Sequence, residues 1–334
     1  MRIRLLTSLL ALLIAADARA QPLLGTVAQH SFIGPVTGAP VHYSLYLPPG
    51  YSATHGRYPV VYHLHGLGGS HAGPQTAQVA SRFEAAHLSG LIGPVILVFA
   101  NGYVDSFWAD GFDGSKPAET NVVAELIPHI DATCRTQAGR CGRLVQGFSM
   151  GGFGAAKFQS KFPELFAGCV IYDAAMVTWS NMVQFHPEIA ASVFGGQEAY
   201  YNQHSPWHWT VENADVLVSV AAFRSVVGAL VFGNQQFRNQ LNALGIPLQY
   251  VETGCAHALP CLLDAQMIAT MSFVEGRLGS GVAGDLNCDG RVNQADLGLV
   301  LADFGCMTFC PSDVDGDGDV DQSDLAIVLA AFGA

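Results

Sequence analysis

Basic residues are scarce in this 334-residue chain: 15 Lys and Arg stand against 27 Asp and Glu, a formal net charge of −12. A chain so poor in cations is a poor candidate for binding nucleic acid or an anionic membrane surface, where affinity rests on Lys and Arg. Charge of either sign is sparse, at 13% of residues, while half are apolar. That balance excludes a disordered chain. Long apolar runs are lacking too. The run from Leu5 to Ala16 is broken by Thr7 and Ser8 and closed by Asp17 and Arg19, short of the roughly 20 residues that a membrane helix needs. Arg2 and Arg4 precede it and Ala18-Arg19-Ala20 follows it. It reads as a signal peptide over 1–20, cleaved near Gln21. The expected location is secreted, periplasmic or cell-surface, with no membrane span.

Export makes the eight cysteines candidates for disulfides. Cys134 and Cys141 bracket a short loop, as do Cys255 and Cys261. Cys288, Cys306 and Cys310 lie in the acidic C-terminal tail, and Cys169 sits in an apolar run. Buried free thiols are the alternative, for Cys169 above all.

What is present alternates. Val60–Leu64, Val95–Ala100, Leu144–Gln146, Cys169–Tyr172, Val226–Phe232 and Pro247–Glu252 read as buried strands. Gln75–Leu88, Asn121–Cys134, Gly151–Lys161, Asn234–Leu244 and Leu259–Arg277 read as helices, with a kink or early end expected at Pro128. Strand–helix alternation predicts an α/β domain, a mostly parallel sheet with helices on both faces. Residues 176–215, with three Trp and several His, break the rhythm and are expected to cover or line a site.

Gly147-Phe148-Ser149-Met150-Gly151 follows one strand and opens a helix. This is the context in which G-x-S-x-G lifts a nucleophilic serine out of a tight turn. Glycines flank it because a side chain would clash there. His63-Leu64-His65-Gly66-Leu67-Gly68-Gly69 follows an earlier strand. An acyl-transfer site needs two backbone N–H donors on its oxyanion; those of Leu67 and Met150 are the candidates. His257 follows the last strand and is the candidate base, ahead of His186, His204 and His208.

The runs Val60–Gly69, Glu119–Pro128 and Gly147–Gly152 resemble the Putative esterase branch of the α/β-hydrolases, which includes esterase D, feruloyl esterases and mycolyltransferases. The resemblance covers about residues 40–277. It implies an α/β-hydrolase fold and a serine carboxylic ester hydrolase without a catalytic cofactor. One departure stands out. The family places its acid after the strand equivalent to Val226–Phe232, yet Gly233-Asn234-Gln235-Gln236-Phe237 holds no carboxylate. Asp173, at the end of the strand beside the nucleophile strand, is the candidate acid; Glu212, Asp215 and Glu252 follow. The missing acid keeps open a non-catalytic binding protein, and the same residues would serve an acyltransferase.

After a small-residue linker at 279–284, residues 285–334 hold ten acids and one base, Arg291. Two segments 28 residues apart repeat the calcium-loop spacing. The first offers Asp285, Asn287, Asp289, the Arg291 carbonyl, Asn293 and Asp296. The second offers Asp313, Asp315, Asp317, the Asp319 carbonyl, Asp321 and Asp324. Gly290 and Gly318 stand at the sharp turn. Asp rather than Glu at the twelfth position, followed by Leu and an apolar helix, resembles a dockerin, a small all-α calcium module. The resemblance implies structural Ca2+ and a cohesin-like or cell-surface partner. Gln294-Ala295 and Gln322-Ser323 differ from the Ser/Thr pairs common at dockerin contact positions. The domain reading is therefore 21–278 esterase, 279–284 linker and 285–334 calcium module. A polysaccharide-linked acyl or feruloyl ester is the expected substrate.

Overall fold

The computed structural model describes residues 22–278, 282–288, 290–307, 310, 312–315 and 318–333. The expected signal peptide lies outside them. Eight strands form one sheet: β1 Thr26–Ile33, β2 Pro40–Leu47, β3 Val60–Leu64, β4 Ile96–Ala100, β5 Arg143–Phe148, β6 Gly168–Tyr172, β7 Phe223–Val227 and β8 Leu248–Glu252. Their spatial order is β1-β2-β4-β3-β5-β6-β7-β8. β1 and β2 run antiparallel to their neighbours, and β3 to β8 are parallel. This is the α/β-hydrolase arrangement.

The central strands read as unbroken apolar runs because both faces are covered. Val60, Tyr62 and Leu64 of β3 pack on one side with Phe153, Phe158 and Ile130. Val61 packs on the other with Val79, Phe83, Leu262 and Val274. A third cluster, Leu286, Val292, Val300, Val320 and Val328, lies wholly in the C-terminal part. Its helices, Gln294–Ala302 and Gln322–Ala330, each open on a capping box, closed by Asn293 with Asp296 and by Asp321 with Asp324.

The structure adds one element to the sequence reading and changes two others. The β1–β2 hairpin lacks a sequence signal because β1 is exposed along almost its whole length; its turn is held instead by the buried Glu125 carboxylate, which accepts the N–H groups of Val36 and Thr37. The seventh strand is Phe223–Val227 rather than Val226–Phe232. Its buried Arg224 and Ser225 masked the strand, and the apolar Leu230-Val231-Phe232 enters a helix over Val231–Ala243. Of the kink or early end expected at Pro128, the early end does not occur, and the helix changes form just before the proline. The chain widens into a π-helix over Asn121–Leu126 and continues as α-helix over Ile127–Thr133, and the wide turn makes room for a ring that an ordinary turn excludes.

The disulfides correct a further expectation. Cys255 pairs with Cys261 as expected. Cys141 pairs with Cys288 rather than Cys134; Cys134 and the buried Cys169 are free thiols. Cys306 pairs with Cys310. No helix among the described residues is long and apolar enough to cross a membrane.

Candidate active site

The C-terminal ends of parallel strands carry the site. Ser149 follows β5 and precedes the helix Met150–Lys161 with φ 59° and ψ −118°. A serine adopts this left-handed φ only where its surroundings enforce it. They do so on both sides: the Ser149 N–H donates to Tyr172 O at 3.0 Å, and its carbonyl accepts from Ala175 N at 3.0 Å. A Cβ on Gly147 would stand 2.1 Å from Gly151 O, and one on Gly151 would stand 1.9 Å from Leu64 O. Both flanking glycines are therefore sterically required.

His257, in the loop after β8, spans the gap between two side chains. Its Nδ1 lies 2.7 Å from Asp173 Oδ2 and its Nε2 lies 2.9 Å from Ser149 Oγ. A carboxylate only accepts, so Nδ1 carries the proton and Nε2 is left to accept from the serine hydroxyl. Phe148 stacks on the imidazole with ring centroids 4.6 Å apart. The Cys255–Cys261 disulfide closes the short loop that holds His257.

Asp173, fully buried, directly follows β6. Oδ1 accepts from Gly228 N at 2.8 Å and Leu230 N at 2.9 Å, and Oδ2 from Ala229 N at 3.1 Å. Burial pushes its carboxyl up, but the hydrogen bonds from His257, Leu230 and Gly228 outweigh this and hold it below the usual carboxylate range. The loop after β7, where the family resemblance places the acid, supplies instead the backbone donors that hold Asp173. Sequence reasoning missed this loop, because backbone donors leave no side-chain signature.

The other candidates lie elsewhere. His204 is buried against Glu119, with Nδ1 3.3 Å from Oε2. His208 packs beside Trp209. Glu252 accepts from Gln235 and Tyr250. Glu212 and Asp215 stand on helices of the inserted segment, with no bond to His257. Glu119, bonded to His204 of that segment, ties it to the helix Met150–Lys161, pairing with Lys157 at 2.7 Å and Lys161 at 2.5 Å.

The loop after β3 lies against the nucleophile turn: a Cβ on Gly66 would stand 3.3 Å from Ser149 Cβ. Leu67 follows directly. Met150 is the first residue of its helix, so its N–H has no intrahelical partner. Beside Asp173 opens a cleft of about 330 Å³, lined by Ala174, Met176, Asn181, His186, Leu230 and Phe232. The inserted segment thus lines the cleft with its first residues.

Residues 34–243 match the family described as "Putative esterase". The chain belongs to this esterase family. It is 28% identical over 239 residues to Esterase Rv1288 of Mycobacterium tuberculosis, covering 63% of this chain and 51% of that protein. It is 31% identical over 149 residues to an endo-1,4-beta-xylanase/feruloyl esterase of Xylanibacter ruminicola, covering 42% of this chain and 20% of that protein. The chain thus spans about half the length of the first relative and a fifth of the second. A solved ferulic acid esterase shares the fold with a TM-score of 0.63 at 22% identity, covering 75% of this chain and 98% of that one.

The acidic loops lie beyond the residues matched to the esterase family. Each repeats one hydrogen-bond pattern. Gly290 N donates to Asp285 Oδ2 at 2.9 Å, and Gly318 N to Asp313 Oδ2 at 3.0 Å. Asp296 Oδ1 accepts from Leu286 N and Asn287 N, as Asp324 Oδ1 does from Val314 N and Asp315 N. Carboxylate oxygens of Asp313, Asp315 and Asp324 lie within 4.8 Å of one another. Three converging hard oxygen donors fit a calcium ion. Asp289 and Asp317 lie outside the described residues.

Proposed function

We propose that the chain is an exported serine carboxylic ester hydrolase that works through an acyl-enzyme on Ser149. The hydrogen-bond chain from Asp173 through His257 to Ser149, at 2.7 and 2.9 Å, carries this reading. His257 Nε2 takes the Oγ proton as Oγ attacks the ester carbonyl, and Asp173 stabilises the resulting imidazolium. The carbonyl π pair moves onto oxygen, where the N–H groups of Leu67 and Met150 receive the charge. The imidazolium then returns its proton to the leaving alkoxide as the C–O bond breaks. Water, deprotonated by the same nitrogen, releases the acid and restores Ser149. The carboxylate on His257 favours this reading over a non-catalytic binding protein. Wild-type protein should hydrolyse p-nitrophenyl acetate and bind a fluorophosphonate probe at Ser149. Ser149→Ala, still folded by circular dichroism, should lose both, with kcat down about 10⁶-fold. Equal probe labelling of that variant would overturn the assignment.

In the same proposal the ester hangs on a polysaccharide, as a feruloyl or acetyl group. Support comes from the name of the Xylanibacter relative and from the apolar cleft beside Asp173. Release of ferulate or acetate from arabinoxylan tests it; turnover of simple aryl esters alone would count against it.

Residues 285–334 are proposed as a dockerin-like module, joined through 279–284 and folded on two Ca2+ ions. Asp285, Asn287, Asp289, Arg291 O, Asn293 and Asp296 would hold one. Asp313, Asp315, Asp317, Asp319 O, Asp321 and Asp324 would hold the other. Calcium there offsets the mutual repulsion of the carboxylates and takes no part in ester cleavage. A cohesin-like or cell-surface protein is the proposed partner. Calorimetric titration of the full chain should show two calcium sites; none at millimolar calcium would refute the module.

A further inference from the structure

His65 has both ring nitrogens committed. The backbone N–H of Gly102, which can only donate, gives its hydrogen to Nε2 at 3.1 Å. Nε2 is therefore the unprotonated nitrogen, and Nδ1 carries the proton. Nδ1 stands 2.9 Å from the carbonyl oxygen of Gly66 and donates to it. The same oxygen accepts from Gly69 N at 3.0 Å. Two donors thus pin one end of the Gly66–Leu67 peptide. A trans peptide is planar, with its N–H opposite its carbonyl. Pinning the Gly66 carbonyl therefore fixes the direction of the Leu67 N–H.

The ring itself cannot turn. It is buried, and it packs on Trp108 with centroids 5.0 Å apart. The Trp108 indole N–H donates to the His65 carbonyl at 3.2 Å. Any side chain on Gly69 would approach Gly66 O to 2.9 Å and His65 Nδ1 to 3.1 Å, disturbing the same bond. Burial holds the imidazole down to about 4, against the pull of the Gly66 hydrogen bond and with a push from His71. The neutral form with hydrogen on Nδ1 is the one the site contains at neutral pH.

We propose that His65 is a positioning residue, which aims the Leu67 N–H at the oxyanion by locking the Gly66–Leu67 peptide. The proposal rests on the acyl-enzyme reading of Ser149. It separates the role of His65 from that of His257: one never exchanges its proton in the cycle, the other does so twice. Asparagine at position 65 sets an amide N–H where Nδ1–H stands. Glutamine sets an amide oxygen where Nε2 stands, serving Gly102 and leaving Gly66 without its donor.

The test compares wild type with His65→Ala, His65→Gln and His65→Asn. It measures kcat and KM on p-nitrophenyl acetate, thermal midpoints, and inhibition by a trifluoromethyl ketone, whose serine adduct carries an oxyanion. His65→Ala and His65→Gln should lose about 100-fold in kcat, the scale of one oxyanion donor, with KM nearly unchanged. Ketone affinity should fall in parallel, and His65→Asn should recover at least about tenfold of the loss. Equal kcat in Asn and Gln variants, or a fall in kcat with unchanged ketone affinity, overturns the proposal. If His65→Ala fails to fold, the Asn and Gln pair decides alone. Failure of the underlying reading would look different: wild type itself would resist the fluorophosphonate probe.

Discussion

Cys141 and Cys288, 147 residues apart, are joined by a disulfide. Cys141 lies in the turn Arg140–Gly142 that feeds β5, the strand that leads into Ser149. Cys288 lies inside the first acidic loop, one residue after Asn287. Buried Arg140 donates from Nη1 to Leu286 O at 2.6 Å beside it. The first acidic loop is therefore clamped to the hydrolase sheet through covalent and hydrogen bonds.

Calcium should accordingly stabilise the esterase as well as the loops. Differential scanning calorimetry should show the main transition moving to higher temperature on calcium addition, a stabilisation of about 3 kcal/mol per bound ion at a hundredfold excess over Kd. In the double variant Cys141→Ser with Cys288→Ser the hydrolase transition should respond much less. Identical traces in calcium and in EGTA for wild type would contradict the coupling.

Asp173→Asn should lower kcat about 10⁴-fold, since an amide cannot hold the Nδ1–H tautomer of His257. Glu252→Gln should stay close to wild type, because Glu252 bonds Gln235 and Tyr250 rather than His257. Steady-state kinetics of the two purified variants decides between the carboxylates; the opposite ranking would move the acid to Glu252.

The same Asp173 predicts a pH dependence of stability. Its folded carboxyl lies below the ordinary range, so its contribution is complete above the unfolded value of about 4. It is lost as pH falls through the folded value. The thermal midpoint of wild type should exceed that of Asp173→Asn at neutral pH, and the gap should close below about pH 4. A gap that persists undiminished at pH 2 would show that packing, rather than charge, sets it.

Opening the Cys255–Cys261 ring should loosen His257. The double serine variant should lose about 2 kcal/mol of stability and about tenfold in kcat, because small misplacements of a catalytic group are costly. Unchanged kcat with a lower thermal midpoint would confine the disulfide to a structural role.

Sequence order alone was enough to read the elements whose information is local. The nucleophile turn is five consecutive residues with two sterically required glycines, so strand, serine and helix were legible together. The parallel core was legible because strands covered on both faces read as apolar runs. The acidic loops were legible because their candidate ligands recur at fixed short spacing. Asp173 could be named from its place at a strand end, yet only as one of several acids. Tertiary structure decided what depends on packing across long separations. It brought Asp173 to His257 across 84 residues and set the Gly228–Leu230 amides on its oxygens. It paired Cys141 with Cys288 instead of nearby Cys134. It also placed the exposed β1 strand on the sheet edge. Asp173 meets His257 and the Gly228–Leu230 amides because β6, β7 and β8 lie side by side in the sheet, and Cys141 meets Cys288 because the first acidic loop docks beside the turn before β5; spacing along the chain carries no record of either.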